Sequence, residues 1–392
     1  MRKIAFLTRG FTGSTLPLAK EFIDRGYIVD FYLFTYSEIH EMEAMECHYV
    51  PEKMGTQIIS ASLYSRLYSY IDSERFMLFC LKLPRPLSNV PLARNIRRIT
   101  INHRLRECAR LLNEKKYDLI NYVGGYYSID FLTLLKNVKT KQVLSLHEVC
   151  NHFQPNFETP NKLLKYVFEH NIDLHVYSKK TYNDLLKYKQ VNQSKVNIIH
   201  FGNFDTYTTV NERLLDLPDK YILFFGAILP YKGLRILYEA VSRIGHAIGE
   251  YKVVVAGKGS DPYLQKMKNN SHFFVINRRL SNGELVNLIK NCKYIVCPYL
   301  TMSQSGIPQT TYVFNKPLLT SNLDGFTEFF QDTNTGVIFS VGDPTELANK
   351  MLEMLDEHRY KKEVERVINS NNAKNEYSWS YICDLFETLF LQ

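Results

Sequence analysis

The sequence has no apolar run long enough to cross a membrane. No segment of the 392 residues reaches the roughly 18 uninterrupted apolar residues that a transmembrane helix needs. The N-terminal stretch MRKIAFLTRG has a basic start, but IAFL is too short for the apolar part of a signal peptide and Arg9 follows at once. We therefore expect IAFL to be a buried first strand, and we expect a cytoplasmic protein.

The sequence also lacks paired cysteines. Its seven cysteines are an odd number and are dispersed, with no C-x-x-C pair and no His/Cys cluster at metal-ligand spacing. This pattern favours reduced thiols in the cytosol over a disulfide framework or a zinc site. We expect no metal site and expect most of the cysteines to be core residues.

Low-complexity tracts, repeats of 20–50 residues and nucleic-acid-binding motifs are absent as well. The first two absences argue against disorder and against a solenoid. The net charge of +8 suggests an anionic partner, although charge alone does not choose among nucleotide, nucleic acid and membrane. Because none of the usual motif patterns is present, we do not expect a nucleic-acid partner.

The chain is too long for one hydrophobic core, since such cores stop growing at roughly 250–300 residues. In both halves, strand-like runs alternate with helix-like runs, which is typical of a parallel sheet with helices on both faces. Residues 202–219 interrupt this alternation. We predict two Rossmann-like, doubly wound α/β domains facing a cleft, over 1–203 and 204–372, and a terminal helix in 373–392 that packs toward the first domain.

Arginines are densest in the stretch RNIRRITINHRLRECARLLNEKK, residues 94–116, where they share a helix-like segment with apolar residues. A basic amphipathic helix can lie on an anionic membrane surface. The alternative is a solvated helix face that packs on the sheet. The candidate residues for an acceptor or membrane face are Arg94, Arg97, Arg98 and Arg104.

Small and basic residues follow strand-like runs of the second half. Lys232 and Gly233 stand at the start of a helix-like run, where a phosphate would meet both an ammonium charge and backbone N–H donors. A lysine in a first helical turn can also be solvated surface. Gly257 ends the next run, VVVAG, and Arg278 follows the run FFVIN. Together these residues predict an edge that holds a phosphorylated ligand.

The helix after Arg278 has a start signal of its own. Ser281 or Asn282 is the expected cap, with Glu284 in the first turn.

In the first half, the turn TRGFTGS lies between a strand and a helix. Its glycines, Gly10 and Gly13, would let the backbone approach a phosphate, although a purely structural turn fits equally well. His147 follows the run KQVLSL at a strand end, where a histidine can transfer protons or donate hydrogen bonds to a sugar or phosphate. A structural histidine is the alternative.

These segments, in this order, resemble the GT-B-fold glycosyltransferases of family 4, which are retaining and use nucleotide sugars. The resemblance covers nearly the whole chain and is strongest over residues 221–350, with FFGAILPYKGLRILYEAV, VVVAGKG and NGELVNLIKNCKYIVCPY. It implies that the second domain binds a nucleoside-diphosphate sugar, that the first binds a glycan or lipid-linked acceptor, and that no metal is needed. By this resemblance, Lys232 binds the diphosphate and His147 faces the sugar.

The segment TMSQSGIPQTTY, residues 301–312 and here called the crest, departs from the family pattern. The family usually has two glutamates in this segment. The first would fall near Ser303 or Gln304 and the second near Thr310 or Thr311, so neither is present. The crest resembles a Gln-Ser-Gly variant of the family, in which the glutamine amide can bind sugar hydroxyls.

A second departure is the missing arginine between Gly226 and Lys232. The resemblance nevertheless implies a full set of site residues. His147 and Gln304 are the expected catalytic residues. The expected donor-binding residues are Gly13, Gly226, Lys232, Gly233, Gly257, Arg278, Gln304, Ser305, Gly306, Ile307 and Glu328.

Three functions remain open on the sequence. The first is a retaining hexosyltransferase of surface polysaccharide synthesis that works on the inner face of the cell membrane. The second is a non-catalytic protein of the same fold that binds or regulates a partner, which the missing glutamates and arginine favour. The third is another two-domain α/β enzyme, such as a sugar epimerase or a phosphorylase, for which no catalytic glutamates or cofactor lysine can be identified.

Overall fold

The computed structural model describes residues 1–36, 51, 53–59, 70–71, 74–85, 91–150, 156–302, 305–373 and 376–391. The chain divides into two compact units. The N-terminal unit comprises Met1–Gly202 together with Trp379–Gln392, and the C-terminal unit comprises Asn203–Ser378. The chain therefore passes from one unit to the other twice.

The N-terminal unit is built on an eight-stranded sheet. Its order is β3-β4-β2-β1-β5-β6-β7-β8, and all neighbours are parallel except β3 and β4, which are antiparallel. The strands are β1 (Lys3–Thr8), β2 (Ile28–Thr35), β3 (Gly55–Ile58), β4 (Phe76–Lys82), β5 (Leu119–Gly124), β6 (Gln142–Leu146), β7 (Asp173–Val176) and β8 (Val196–Ile198). The helices are α1 (Thr12–Asp24), α2 (Pro91–Glu114), α3 (Phe131–Asn137), α4 (Lys162–Glu169) and α5 (Lys179–Leu186), with the last helix of the chain, Trp379–Phe390.

Alternate residues of β1 enter two different cores, because successive side chains of a strand point to opposite faces of a sheet. Ile4 and Phe6 pack with residues of α1 and of the last helix of the chain. Ala5 and Leu7 pack with residues of α2, α3 and α4. Both faces of this sheet are thus covered, as a parallel sheet requires.

The C-terminal unit has a six-stranded, fully parallel sheet in the order β11-β10-β9-β12-β13-β14 around one core. Its strands are β9 (Tyr221–Phe225), β10 (Lys252–Ala256), β11 (Phe273–Ile276), β12 (Ile295–Cys297), β13 (Leu318–Ser321) and β14 (Val337–Phe339). Its helices are α6 (Leu234–Ile244), α7 (Tyr263–Lys268), α8 (Asn282–Asn291), α9 (Ile307–Tyr312), α10 (Asp324–Thr333), α11 (Pro344–Glu353) and α12 (Glu357–Asn372). The helix Trp379–Phe390 that follows is α13.

Ion pairs hold α13 on the N-terminal unit. The Arg25 guanidinium, just after α1, lies 2.7 Å from the Asp384 carboxylate and 2.8 Å from that of Glu387. The Tyr27 hydroxyl donates to Glu387 at 2.7 Å. The apolar side of α13, with Phe386 and other residues, is buried.

The two doubly wound α/β units confirm the predicted fold class. Two strands were not expected from the sequence, β3 and β4, although β4 has the continuous apolar run FMLFC. Among the described residues, no helix is long and apolar enough to cross a lipid bilayer.

Candidate functional site

Lys232 lies between strand β9 and helix α6 of the C-terminal unit. After β9 the chain forms a short 3-10 turn, Pro230–Lys232, and then enters α6. The Lys232 ammonium is 3.7 Å from the ring centre of Tyr299 and 5.2 Å from that of Tyr231. Within the described part of the chain, no carboxylate lies within ion-pair distance of this ammonium. The cation is therefore held by aromatic faces.

Burial changes the acidity of this ammonium. Desolvation lowers the pKa of Lys232 from 10.5 to about 8. An anion placed beside it would restore the missing charge compensation and raise the pKa again. Tyr299, which the sequence did not single out, is fully buried and supplies one of the faces. Its position two residues after β12, in CPY, was the available signal.

Glycines bring the loops of this unit into contact. Gly233 has φ 73°, and a Cβ there would lie 1.8 Å from the carbonyl oxygen of Pro298. A Cβ on Gly257 would lie 1.8 Å from the carbonyl oxygen of Gly226. The backbone N–H of Gly226 in turn donates a hydrogen bond to the carbonyl of Ala256. Gly257 is thus needed for the close approach of two loops, and the structure shows no space beside it for a side chain.

Arg278 is engaged in an ion pair. Its two terminal nitrogens each lie 2.9 Å from one oxygen of Glu284, a bidentate arrangement. Glu284 also accepts from the backbone N–H of Ser281, which is the N-cap of α8, so the expected cap is present as a full capping box. The Arg278 hydrogen bond lowers the pKa of Glu284 to about 2. Donor binding by Arg278 stays a prediction, and the pairing with Glu284 gives the arginine a structural role.

Ten of the twelve crest residues are described in the structure, residues 301–302 and 305–312. Ser303 and Gln304, including the expected catalytic amide, lie outside the described residues. Ser305 accepts from the N–H of Ile307 through its hydroxyl at 3.3 Å. Gly306 is the N-cap of α9, and a Cβ there would meet the Phe204 ring at 2.7 Å.

Thr310 and Thr311, which stand where the family usually has its second glutamate, form hydrogen bonds within their own helix. The Thr310 hydroxyl donates to the carbonyl of Gly306 at 2.7 Å, and the Thr311 hydroxyl donates to the carbonyl of Ile307 at 2.9 Å. Both threonines are buried. Such i to i−4 bonds occupy the hydroxyl hydrogen, so these side chains present no carboxylate and no free donor to a ligand.

Glu328 lies in α10 and is 8% exposed. It is therefore a buried helical residue and not a solvated loop carboxylate. Its role toward a donor stays a prediction.

In the N-terminal unit, His147 directly follows β6 and is buried among aromatic rings. Its ring stacks on Phe11 with centroids 3.6 Å apart and packs near Tyr177 at 4.3 Å and Phe201 at 5.0 Å. Its Nε2 atom has no hydrogen-bond partner among the described residues. Desolvation lowers the pKa of His147 well below 6.5, so the imidazole is neutral near pH 7.

The neutral imidazole with an unsatisfied nitrogen suits a hydroxyl-bearing ligand. Phe11, Tyr177 and Phe201 were missed by the sequence reading. They come from the ends of three other elements, and their only sequence signal is the position after a strand or before a helix.

Gly13 lies in the first turn of α1, and a Cβ there would have no atom within 4 Å. Phe11, two residues earlier and the N-cap of α1, has φ 63° although it carries a side chain. The turn is therefore open beside Gly13, which fits either interpretation of the glycine.

The arginines of α2 fall into two groups. Arg104 pairs with Glu107 at 2.8 Å, and Arg97 donates to the carbonyl of Pro84 at 3.0 Å. Arg94 and Arg98 are exposed. From Ile101 onward α2 has buried apolar residues, including Leu105 and Leu112, which agrees there with the alternative of a helix packed on the sheet. Before Ile101, Leu92, Ile96 and Ile99 are 58–69% exposed.

The C-terminal unit is similar to known glycosyltransferases. Residues 219–357 match the family model "Glycosyl transferases group 1". A curated protein of Methanocaldococcus jannaschii, "Uncharacterized glycosyltransferase MJ1178", is 26% identical over 182 residues, which are 44% of this chain and 49% of that protein. The match thus spans about half the length of that relative.

Solved structures resemble the whole chain. Sucrose-phosphate synthase from Thermosynechococcus elongatus has a TM-score of 0.69 at 15% identity, covering 100% of this chain and 99% of that one. Anabaena HepE in complex with UDP and glucose has a TM-score of 0.65 at 14% identity, covering 100% of both chains. A structure from E. coli, named as trehalose-6-phosphate bound with UDP-2-fluoro glucose, has a TM-score of 0.70 at 11% identity. The match covers 100% of this chain and 99% of that one.

The chain has the GT-B fold. In this GT-B chain the segment that matches the family model contains Lys232, its glycine loops, the Arg278 pair and the crest. His147 and the basic helix α2 lie outside that segment, in the other GT-B unit.

Proposed function

We propose that the protein is a retaining glycosyltransferase. It transfers a hexose from a nucleoside-diphosphate sugar to a glycan or lipid-linked saccharide in the synthesis of a surface polysaccharide. The observation that carries the proposal is Lys232, a half-buried ammonium that lies on two tyrosine rings without a carboxylate among the described residues. The match of residues 219–357 to a glycosyltransferase family model supports it.

Sugar transfer from a nucleoside diphosphate is helped by such a cation. When a sugar leaves a nucleoside diphosphate, negative charge develops on the phosphate oxygen, and a fixed positive group near that oxygen lowers the barrier. The Lys232 side chain is held before the donor arrives, and its low-dielectric surroundings strengthen the attraction. We assign charge compensation to Lys232 and not to a divalent metal.

Uridine diphosphate sugars are the first donors to test. Anabaena HepE was solved with UDP-glucose, and the E. coli structure contains UDP-2-fluoro glucose. In the N-terminal unit of the present chain, the neutral imidazole of His147 would hydrogen-bond a sugar hydroxyl through its unpartnered Nε2.

Thermal stabilisation by a panel of nucleotide sugars and nucleoside diphosphates tests the donor site. A ligand that binds the folded state raises its stability by RT ln(1 + [L]/Kd). We expect one donor to stabilise the wild type, and Lys232→Gln to weaken this effect. Lys266→Gln is the matched control, because Lys266 also lies over a tyrosine ring, at 4.5 Å from Tyr263, yet is exposed. Equal effects of both substitutions would contradict the assignment of Lys232.

A non-catalytic binding or regulatory protein is the second candidate. The bonds of Thr310 and Thr311 to their own helix favour it, because the crest then offers no carboxylate at the place where the family usually has a glutamate. Turnover of any nucleotide sugar, measured as release of the nucleoside diphosphate, would exclude this candidate. Stabilisation by a nucleoside diphosphate without turnover would favour it.

The acceptor side of the proposal includes an anionic membrane surface. Leu92, Ile96 and Ile99 are exposed and spaced by four and three residues, so they share one face of α2. Exposed Arg94 and Arg98 lie on the same half of this helix. Apolar residues beside arginines suit insertion at a negatively charged lipid surface.

A further inference from the structure

Three arginines meet at one tyrosine in the N-terminal unit. The guanidinium of Arg9, after β1, lies 4.4 Å from the ring centre of Tyr36, and that of Arg97, on α2, lies 5.4 Å from the same ring. Arg85, after β4, donates from Nε to the Tyr36 carbonyl at 3.3 Å. We call Arg9, Arg85, Arg97 and Tyr36 the arginine cluster.

The sheet topology explains why these distant residues meet. β4, β2 and β1 are adjacent and parallel, with Leu33 paired to both Cys80 and Thr8. Their carboxyl ends therefore lie at one edge of the sheet. Open α/β sheets bind their ligands outside this edge.

A carboxylate orients the cluster. Asp130 accepts a hydrogen bond from the Tyr36 hydroxyl and lies 3.7 Å from the Arg9 guanidinium. It stands at the N-cap of α3, yet its side chain makes no capping hydrogen bond, because the carboxylate is directed to Tyr36 and Arg9. Burial, followed by the Asp130 hydrogen bond, raises the pKa of Tyr36 to about 12. The ring is thus a neutral platform for the two guanidinium groups.

The cluster carries excess positive charge. In the described part of the chain, Asp130 is the carboxylate that contacts it, against three guanidinium groups. The hydrogen bonds of Arg85 and Arg97 to described residues use only their Nε atoms. Their terminal nitrogens, which form the fork that matches the oxygens of a phosphate, remain available with respect to those residues.

We propose that the arginine cluster binds a phosphate-type anion carried by the acceptor of the transferase. This inference rests on the proposed function, since it names the chemical class of the acceptor. Arg97 then acts at the carboxyl edge of the sheet, apart from the exposed Arg94 and Arg98 of the same helix. The anion can belong to a soluble sugar phosphate or to a phospholipid-linked saccharide, and both present the same oxygens.

The test uses the full chain and two arms. In the first arm, glucose 6-phosphate, inorganic phosphate and glucose are titrated calorimetrically. In the second arm, the protein is sedimented with phosphatidylcholine vesicles with or without phosphatidylglycerol. Both arms compare the wild type with Arg9→Gln/Arg97→Gln and with the control Arg106→Gln/Arg110→Gln, which removes two exposed arginines from the second half of α2 and so the same net charge.

We expect the cluster variant to bind a phosphate probe at least about tenfold more weakly than the wild type, because each lost arginine removes hydrogen bonds to a charged group. The control should stay within about twofold of the wild type, since surface charge away from the site contributes little. A loss confined to the first arm identifies a soluble sugar phosphate, and a loss confined to the second arm identifies a lipid phosphate.

Two results would overturn the inference. One is the absence of phosphate-dependent binding in both arms, and the other is an equal loss in the cluster variant and the control. If the double variant fails to fold, the exposed Arg85→Gln replaces it, and unchanged binding by that variant counts against the cluster. Thermal stabilisation by UDP, measured on the same samples, tests the proposed function separately. If UDP does not stabilise the wild type, the donor site is refuted, whereas the result on anion binding still holds.

Discussion

The carboxyl edges of the two sheets offer different chemical groups. In the C-terminal unit, glycines at φ 73° and φ 151° bring loop backbones into contact, and one lysine supplies the charge. In the N-terminal unit, aromatic rings around His147 and arginines around Tyr36 supply the side chains. One edge is thus specified by backbone shape and the other by side chains from distant parts of the chain.

Burial lowers the pKa of both central ionisable groups but leaves them in different charge states at pH 7. Lys232 keeps a pKa of about 8 and so remains mostly protonated at pH 7, whereas His147 is neutral there because its pKa falls well below 6.5. The C-terminal edge therefore presents a cation and the edge near His147 a neutral hydrogen-bonding group. A cation suits a diphosphate, and a neutral hydrogen-bonding group suits sugar hydroxyls.

The largest expected effect contrasts a glycine of each edge. Gly233→Ala should lower the free energy of unfolding by at least about 3 kcal/mol, since it combines a positive φ with a clash against the Pro298 carbonyl. Gly13→Ala should keep or raise stability, by up to about 1 kcal/mol, because the space is open and the residue is helical. Urea denaturation measures both. Equal destabilisation would contradict the contrast between packed and open glycine turns.

The second effect concerns the charge on Lys232. Its folded pKa of about 8 lies below the ordinary 10.5, so the free protein loses this ammonium as the pH rises through about 8. Donor affinity should then fall, by up to about tenfold per pH unit above that value. The diphosphate of a nucleotide sugar is esterified at both ends, has no proton left to lose in this range and so keeps its charge. Lys232→Gln should bind more weakly and with no pH dependence between 7 and 9. Calorimetric titration at several pH values measures this, and a wild-type affinity that is flat over this range would refute the role of the lysine.

Glu284→Gln tests whether the Arg278 pair is structural. The substitution should lower the free energy of unfolding by about 1–3 kcal/mol at pH 7, because it removes a charge-assisted bidentate contact. The folded pKa of Glu284 is about 2, below its ordinary 4.5, so the stability of the pair is present above pH 4.5 and lost as the pH falls toward 2.

Denaturant unfolding of wild type and Glu284→Gln between pH 2 and pH 7 checks this, and the difference between the two should shrink toward acid. The exposed Glu250, paired with Lys220, is the matched control, and Glu250→Gln should change stability little. A donor affinity that falls in Glu284→Gln without any loss of stability would assign Arg278 to the ligand instead.

A smaller effect is expected on the exposed face of α2. Ile96→Gln/Ile99→Gln should reduce binding to vesicles that contain phosphatidylglycerol severalfold, because it removes apolar surface from the proposed contact. Leu214→Gln, at an apolar residue of the C-terminal unit that is 81% exposed, is the control. Sedimentation with vesicles measures both, and equal behaviour of the two variants would remove the membrane from the proposal.

The smallest effect is expected from a chelator. If Lys232 compensates the diphosphate charge, stabilisation by the donor should be the same with and without EDTA. Thermal unfolding in the presence of the donor measures this. A loss of stabilisation in EDTA that magnesium restores would assign the compensation to a metal ion.

The difference between the two edges also explains what the sequence could predict. The strand and helix periodicity predicted both doubly wound units, and the S-x-x-E spacing predicted the cap of α8. The position of Lys232 between a strand and a helix was predictable because both elements adjoin it in sequence, whereas Tyr299, whose ring its ammonium contacts, is distant in sequence. The approach of Arg9, Tyr36 and Arg97 was not, since sheet order and not sequence spacing brings them together.

Some local side-chain contacts also could not be predicted from the sequence pattern. The hydroxyls of Thr310 and Thr311 donate to carbonyls of their own helix. These hydrogen bonds depend on side-chain rotamers, which the sequence does not specify. The bidentate contact of Arg278 with Glu284 could have been anticipated, because the residue after a strand and the third residue of a capped helix come close across a short turn.

The helix α13 has a consequence for biosynthesis. Its Phe386 and Phe390 complete a core whose other members lie near the beginning of the chain, such as Phe6 and Phe22. These two phenylalanines are synthesised after the whole C-terminal unit, so the core of the N-terminal unit is completed only after the C-terminal unit has been made. The C-terminal unit is a continuous segment, Asn203–Ser378, and has all of its residues available earlier. A nascent chain stalled just before Trp379 would thus expose apolar surface on α1, and chaperones bind such surfaces during synthesis.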